Sequence, residues 1–307
     1  LLLLLAAAFF CGAAAAHENH DGITFQPWTD SKKLPSSGNY YLDVDVKPSD
    51  HVKLTGNLNL CLNGHIVDIN GEKNSIIVVD KAYTLNIYDC TAVSHYFTVT
   101  EDYGLWKLDD TKTNGAIDIV DINADTDLKK GTVIRVIGGV ITGSKEDGGG
   151  GALYLDDSGC KVNLYGGNII GNSAEDGGGV YIDAGTFTMS GIWTYIAGNE
   201  ARKNHGGGGV FVDDDSKFVM NDGGIIGNSA TCDSGDGGGV YLRYHGEFTM
   251  NDGKIIGNAA VSEEGIQFYR MKKGDRVSNL VSNMENMLTS GKSGGGVYMD
   301  DNARFTK

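Results

Sequence analysis

One phrase recurs through the second half of this chain: Ile-Gly-Asn, a short polar stretch, a run of glycines, Val-Tyr, then Phe-Thr-Met. A clear copy runs from Ile170-Gly171-Asn172 through Gly177-Gly178-Gly179-Val180-Tyr181 to Phe187-Thr188-Met189. A fixed internal period constrains architecture more than any other sequence signal, because every copy must take an equivalent place in the fold. The aromatic position recurs at Tyr154, Tyr181, Phe211, Tyr241 and Tyr298, at spacings of 27, 30, 30 and 57 residues. The asparagine returns at Asn172, Asn199, Asn228 and Asn258, and the Phe-x-Met unit at Phe187, Phe218 and Phe248, with Phe305 opening another.

Each copy holds three short apolar runs separated by Gly, Asn and Asp, with no helical period inside it, which is strand and turn punctuation. A unit of this size cannot bury its apolar face alone, so copies stack. The expected fold is all-β: a single-stranded parallel β-helix with 27–30 residues per rung. The handedness of parallel crossovers makes it right-handed. At about 4.8 Å per rung, equivalent residues align in columns along the axis.

The chain divides into four parts. Residues 1–16 are an apolar run, Leu1 to Ala16, ending in four alanines, and read as a signal peptide. With no Met and no basic start before it, that segment is expected to be incomplete. Residues 17–50, with Trp28 and Gly38-Asn39-Tyr40-Tyr41, read as a cap closing the first rung. Residues 51–307 read as the β-helix, with degenerate rungs such as Ile76–Val79 and Val133–Ile137 up to about residue 145. Within it, Val277, Leu280, Val281, Met284, Met287 and Leu288 follow helical spacing behind Asp275. They predict a helical insertion over about 261–292, either packed decoration or the lip of a groove. The chain stops partway through a repeat at Lys307, so a further C-terminal region is expected.

The net charge of −15 lies wholly outside residues 1–16 and argues against nucleic-acid binding, which needs clustered Lys and Arg. The apolar start is shorter than the roughly 20 residues of a membrane span, so the mature chain is expected to have no transmembrane segment and to be secreted or displayed at a cell surface. Of the cysteines, Cys61, Cys90, Cys160 and Cys232 follow the leader, and no Cys-x-x-Cys pair suggests zinc. Cys61 and Cys90 end similar phrases on what should be adjacent rungs. A disulfide between them and two unpaired strand thiols both fit.

Strand alternation puts Val180 and Ile182 inside and Tyr181 and Asp183 outside. The outer face should therefore carry an aromatic column, Tyr154, Tyr181, Phe211, Tyr241 and Tyr298, beside a polar one, Asp156, Asp183, Asp213, Arg243 and Asp300. Phe187, Phe218, Phe248 and their methionines should fill the core. The asparagines should form a turn ladder. Rings at rung spacing could stack on sugars while neighbouring carboxylates accept hydroxyl protons, and Ca²⁺ could relieve the repulsion among Asp156, Asp183 and Asp213. Both columns could equally be structural, through cross-strand stacking and an acidic, soluble edge. A catalytic alternative rests on Asp183, Asp213 and Arg243, since carboxylates one rung apart sit near the roughly 5 Å separation of retaining glycosidases.

At Asn172-Ser173-Ala174 with Gly178-Gly179-Val180-Tyr181, and at the copies around Asn199, Asn228 and Asn258, the repeat resembles that of the polymorphic outer-membrane-protein family of bacterial surface proteins. Ile stands where that family has Phe, and Val where it has Ile. The phrases Leu60-Cys61-Leu62-Asn63-Gly64-His65 and Ile87-Tyr88-Asp89-Cys90 look like those of large secreted β-helix proteins of anaerobic gut bacteria. The resemblance covers about two thirds of the chain. It implies a right-handed pectate-lyase-like β-helix, surface display and an adhesive role. The resulting expectation is a binding protein for glycans or host surface molecules, with a polysaccharide lyase or glycoside hydrolase, or a plain spacer, as alternatives.

Overall fold

The computed structural model describes residues 20, 22–231, 236–262, 265–268, 295–299 and 303–306. The repeated phrase folds as its period demands, into a parallel β-helix whose strands pair with their own copies one rung away. Val180 aligns with Leu153 before it and Val210 after it, and Val210 with Val240. The Phe-x-Met strands stack as Thr186–Met189, Lys217–Met220, Glu247–Met250 and Arg304–Thr306. In the strands Leu153–Leu164 and Val180–Met189 these two ladders are continuous, so they form one long sheet. A second parallel sheet runs from Ile66–Asp68 through Val140–Thr142, Asn168–Ile170, Tyr195–Ala197 and Gly224–Ile226 to Lys254–Ile256. A third, of two-residue strands such as Ser173–Ala174 and Ser229–Ala230, follows the asparagine turn.

The inward columns are the predicted ones. Val180, Ile182, Phe187, Met189 and their equivalents form one buried cluster along the axis. The phenylalanine rings stack inside it, Phe187 on Phe218 at 5.3 Å and Phe218 on Phe248 at 4.6 Å. The asparagine ladder is also present and fully buried. The Asn199 side-chain oxygen accepts from both the backbone and side-chain N–H of Asn172, at 2.9 and 3.1 Å. The same pairing joins Asn199 to Asn228 and Asn228 to Asn258. The left-handed turn residue is the glycine before each asparagine, with φ of +69° at Gly171 and +55° at Gly198. The asparagine therefore serves by its amide and not by tolerating that conformation.

Three departures from the expected organisation position the site. The lead-in does not simply close the first rung: Gln26–Trp28 pairs with Gly38–Leu42 and that with Leu58–Cys61, all parallel, so the long sheet already begins there. Val133–Ile137 is not a rung. It pairs antiparallel with Ser94–Val99 in a separate four-stranded sheet inserted between Thr84–Tyr88 and Val140–Thr142. Finally, of the predicted helical insertion over 261–292, Ala259–Ser262 and Gly265–Phe268 are antiparallel strands, and the helical pattern itself lies outside the described residues.

The inserted sheet lies against the outer face of the second sheet. There Ile169 points into the solenoid core while Ile170, with Tyr195, Ala197 and Ile226, packs on Phe97, Trp106, Ile134 and Val136. Trp106 is fully buried, and its backbone N–H donates to the Gly198 carbonyl at 2.9 Å. A Cβ at Gly198 would sit 2.1 Å from the Trp106 ring, so this turn glycine is required twice over. Asp89 ties down the insertion's root, accepting from the backbone N–H of Gly64 at 2.7 Å and of Gly139 at 2.9 Å. Burial raises its carboxyl above the usual range despite those bonds.

Candidate functional site

The aromatic column forms, but not as a platform open to water. Tyr154, Tyr181, Phe211, Tyr241 and Tyr298 follow one another at ring separations of 5.6, 4.7, 4.9 and 4.9 Å. They point away from the main core, as alternation requires. Yet Phe211 is completely buried and Tyr241 is 2 % exposed. Neighbouring backbone and the His205 side chain close on the column. A Cβ at Gly149 would stand 2.7 Å from the Tyr181 ring, and the His205 ring lies 6.1 Å from Phe211 and 6.0 Å from Tyr241. The burial of Phe211 and Tyr241 keeps these central rings from stacking on a sugar. At Phe211 and Tyr241 the stacked rings serve the sheet, while Tyr154, Tyr181 and Tyr298 are half-buried.

The acidic column is likewise committed internally. Its alignment slips at the first step, where Asp156 pairs with Ala184 instead of Asp183. The Tyr154 hydroxyl donates to Asp183 at 3.2 Å and the Tyr181 hydroxyl to Asp213 at 2.8 Å. Asp213, 4 % exposed, also pairs with the Arg243 guanidinium at 3.3 Å. Burial lifts the Asp183 carboxyl above its ordinary value, and the Asp213 and Asp156 charges add to the shift. The tyrosine hydroxyls are pushed up by burial and by these same carboxylates. Burial pulls Arg243 down, but the Asp213 charge leaves it raised overall.

Asp156, Asp183 and Asp213 do not converge as a cation site; among the described residues, the only carboxylate-containing triad with converging ligand atoms is Asp214, Asp215 and His245, all exposed. The proposed calcium position and the proposed catalytic trio of Asp183, Asp213 and Arg243 thus resolve into an interlocked set of hydrogen bonds and one ion pair. Asp300 lies outside the described residues.

The open site is elsewhere, between the inserted sheet and the corner of the rungs beneath it. A cleft of about 780 Å³ is lined by Val120, Arg135 and Ile137 on the insertion side and by Tyr165, Ile192 and Trp193 on the solenoid side. Trp193 is 63 % exposed and Ile192 60 %, the highest values among the large apolar side chains of the described residues. At the cleft edge Arg135 holds Asp118 through two hydrogen bonds, and the guanidinium keeps that carboxyl well below the usual range. Burial pushes the Tyr195 hydroxyl, on the cleft floor, up to about 12. An apolar concavity of this volume with a few fixed polar groups is the form of a small-ligand site.

The repeat itself carries a signal for this cleft. Between Met220 and Ile225, and between Met250 and Ile255, stand four residues, Asn-Asp-Gly-Gly and Asn-Asp-Gly-Lys; between the equivalent Met189 and Ile196 stand six, Ser-Gly-Ile-Trp-Thr-Tyr. The two extra residues push Ile192 and Trp193 out of the wall. Arg135 and Asp118 carry no such signal, because the strands of the insertion share the alternation of rung strands.

Cys61 and Cys90 fall on adjacent rungs, as expected, but two residues out of register, since Cys61 pairs with Tyr88. Their sulfurs lie 3.5 Å apart and are not bonded as a disulfide. No described helix is long and apolar enough to cross a membrane. Searches against models of known protein families, curated proteins and solved structures find no match, so the site rests on its own geometry.

Proposed function

We propose that this protein is an exported, surface-associated β-helix that binds carbohydrate without transforming it, and that the cleft beneath the inserted sheet is where it binds. Its ligand would be a glycan of a polymer or of a host surface. The observation that carries this reading is Trp193. A large ring held 63 % exposed has no packing role, yet the chain lengthens its repeat by two residues to present it. Flat apolar rings suit the C–H face of a pyranose, and the Arg135–Asp118 pair and Ser190 beside it can exchange hydrogen bonds with hydroxyls. Export is supported by the apolar run Leu1–Ala16.

Screening on a glycan array, followed by titration of a hit through tryptophan fluorescence, tests it. Trp193→Ala should weaken binding at least about tenfold, some 1.4 kcal/mol, and leave folding unchanged because the side chain is exposed. Binding unaffected by Trp193→Ala would remove the cleft from consideration, and an array with no hits would favour the spacer.

A further inference from the structure

A second cluster of chemistry-bearing side chains lies where the lead-in crosses the first rungs, and no sequence motif announces it. His20, Cys61 and Cys90 each present a ligand atom, and no two of these atoms are more than 4.8 Å apart. The three come from separate places: the lead-in, the strand Leu58–Cys61, and the turn after Thr84–Tyr88. Cys61 is buried and the other two are half-buried.

We propose that His20, Cys61 and Cys90 form a three-ligand site for a borderline transition-metal cation, Zn²⁺ above all. With metal–sulfur bonds of about 2.3 Å and metal–nitrogen bonds of about 2.0 Å, tetrahedral zinc requires sulfurs about 3.8 Å apart and nitrogen about 3.5 Å from each. The two sulfurs stand at 3.5 Å already. The imidazole holds a nitrogen within 4.8 Å of both sulfurs, so closing to that spacing takes a shift of about 1.3 Å or less. Its plane is set by packing, stacked on Tyr88 at 4.7 Å and 14° with the Phe25 ring against it edge-on at 5.4 Å. Phe25, Tyr88, Ile23 and Tyr41 pack with the two cysteines, and the Asn63 and Thr91 side-chain oxygens lie 3.6 and 3.9 Å from the Cys90 sulfur.

The charge balance is favourable. Zn²⁺ displaces one proton from each thiol and binds a neutral imidazole, so the loaded site carries no net charge. Because both thiols must lose a proton to bind the metal, uptake should rise with pH. Two thiolates and one imidazole favour zinc over calcium, which takes oxygen ligands. Bound metal would fasten the lead-in to the first rungs. The described residues fill three of the four tetrahedral positions, and Cys90 also lines the cleft, yet this site stands whether or not the cleft binds sugar.

The test uses the full chain, stripped of metal under a phosphine reductant and titrated with Co²⁺ without oxygen. The expected result is a thiolate-to-cobalt charge-transfer band that saturates at one equivalent, disappears on adding Zn²⁺, and comes with a rise in Tm of about 5 °C at a hundredfold excess over Kd. Cys90→Ser should abolish the band, and His20→Ala should weaken Co²⁺ binding at least tenfold. Both positions are half-buried, so a retained β-sheet circular dichroism spectrum separates lost ligation from lost folding. Absence of the band, or a band unchanged in Cys90→Ser, overturns the proposal. So does recovery of a Cys61–Cys90 disulfide, two hydrogens lighter by mass, from chain exported in zinc-supplemented medium.

Discussion

At the residue scale the decisive groups are buried amides and carboxylates whose partners sit one rung away. Asn199 accepts two hydrogen bonds from Asn172 and donates to the Ile169 carbonyl and to Asn228. Asn199→Ala strands several of these groups in a dry interior, and should lower the stability measured in urea by about 3 kcal/mol or more. Asp183 works in the opposite direction. Its raised carboxyl makes ionisation cost more in the folded chain than in the unfolded one, so stability should fall as pH rises from the ordinary carboxylate value through the raised one. Asp183→Asn should therefore stabilise at neutral pH and flatten that part of the profile. The side chain is half-buried, so the gain should stay below about 1 kcal/mol. The asparagine role and the direction of Tyr181 and Asp183 were legible in the sequence, because both follow from period and alternation. That Phe211 and Tyr241 would be buried was not, because period and alternation give a side chain's direction but not what lies over it.

At the scale of elements, the inserted sheet shows why a strand pattern does not name its partner. Val133-Ile134-Arg135-Val136-Ile137 alternates as a rung strand would, yet it pairs antiparallel within the insertion. Both kinds of strand expose one face and bury the other, so they share a period. What distinguishes them is the second apolar side of Asn168–Ile170 and Tyr195–Ala197, buried on both faces because the insertion covers them. Trp106 is the wedge of that contact. Trp106→Ala should cost about 3–5 kcal/mol of local stability. Hydrogen exchange should show the loss chiefly at residues 94–137, with the Asn172 to Asn258 ladder still protected. Equal loss across both regions would mean that the insertion and the solenoid unfold as one unit.

For the whole molecule, a solenoid draws its stability from neighbour-to-neighbour contacts, so a lateral insertion should be removable without ending the stack. Ile66–Asp68 already pairs directly with Val140–Thr142, bridging the point at which the insertion departs. The insertion is nonetheless tied along several rungs. Lys254, whose ammonium is lowered by burial, donates to the carbonyls of Val120 and Ile122 at 2.9 and 3.2 Å. Replacing residues 92–137 by a short Gly-Ser linker should keep the β-sheet circular dichroism spectrum while uncovering Ile170, Tyr195, Ile226 and Ile256. That strip of contiguous apolar surface should bind a hydrophobic dye and drive self-association. The same variant loses the Arg135 and Ile137 wall of the cleft but retains Trp193, so glycan binding should vanish with the ring still in place. If binding survived, the exposed ring alone would be the site and the insertion only a cover for the rungs; if the chain failed to fold, the second sheet would depend on its outer layer as much as on its inner core.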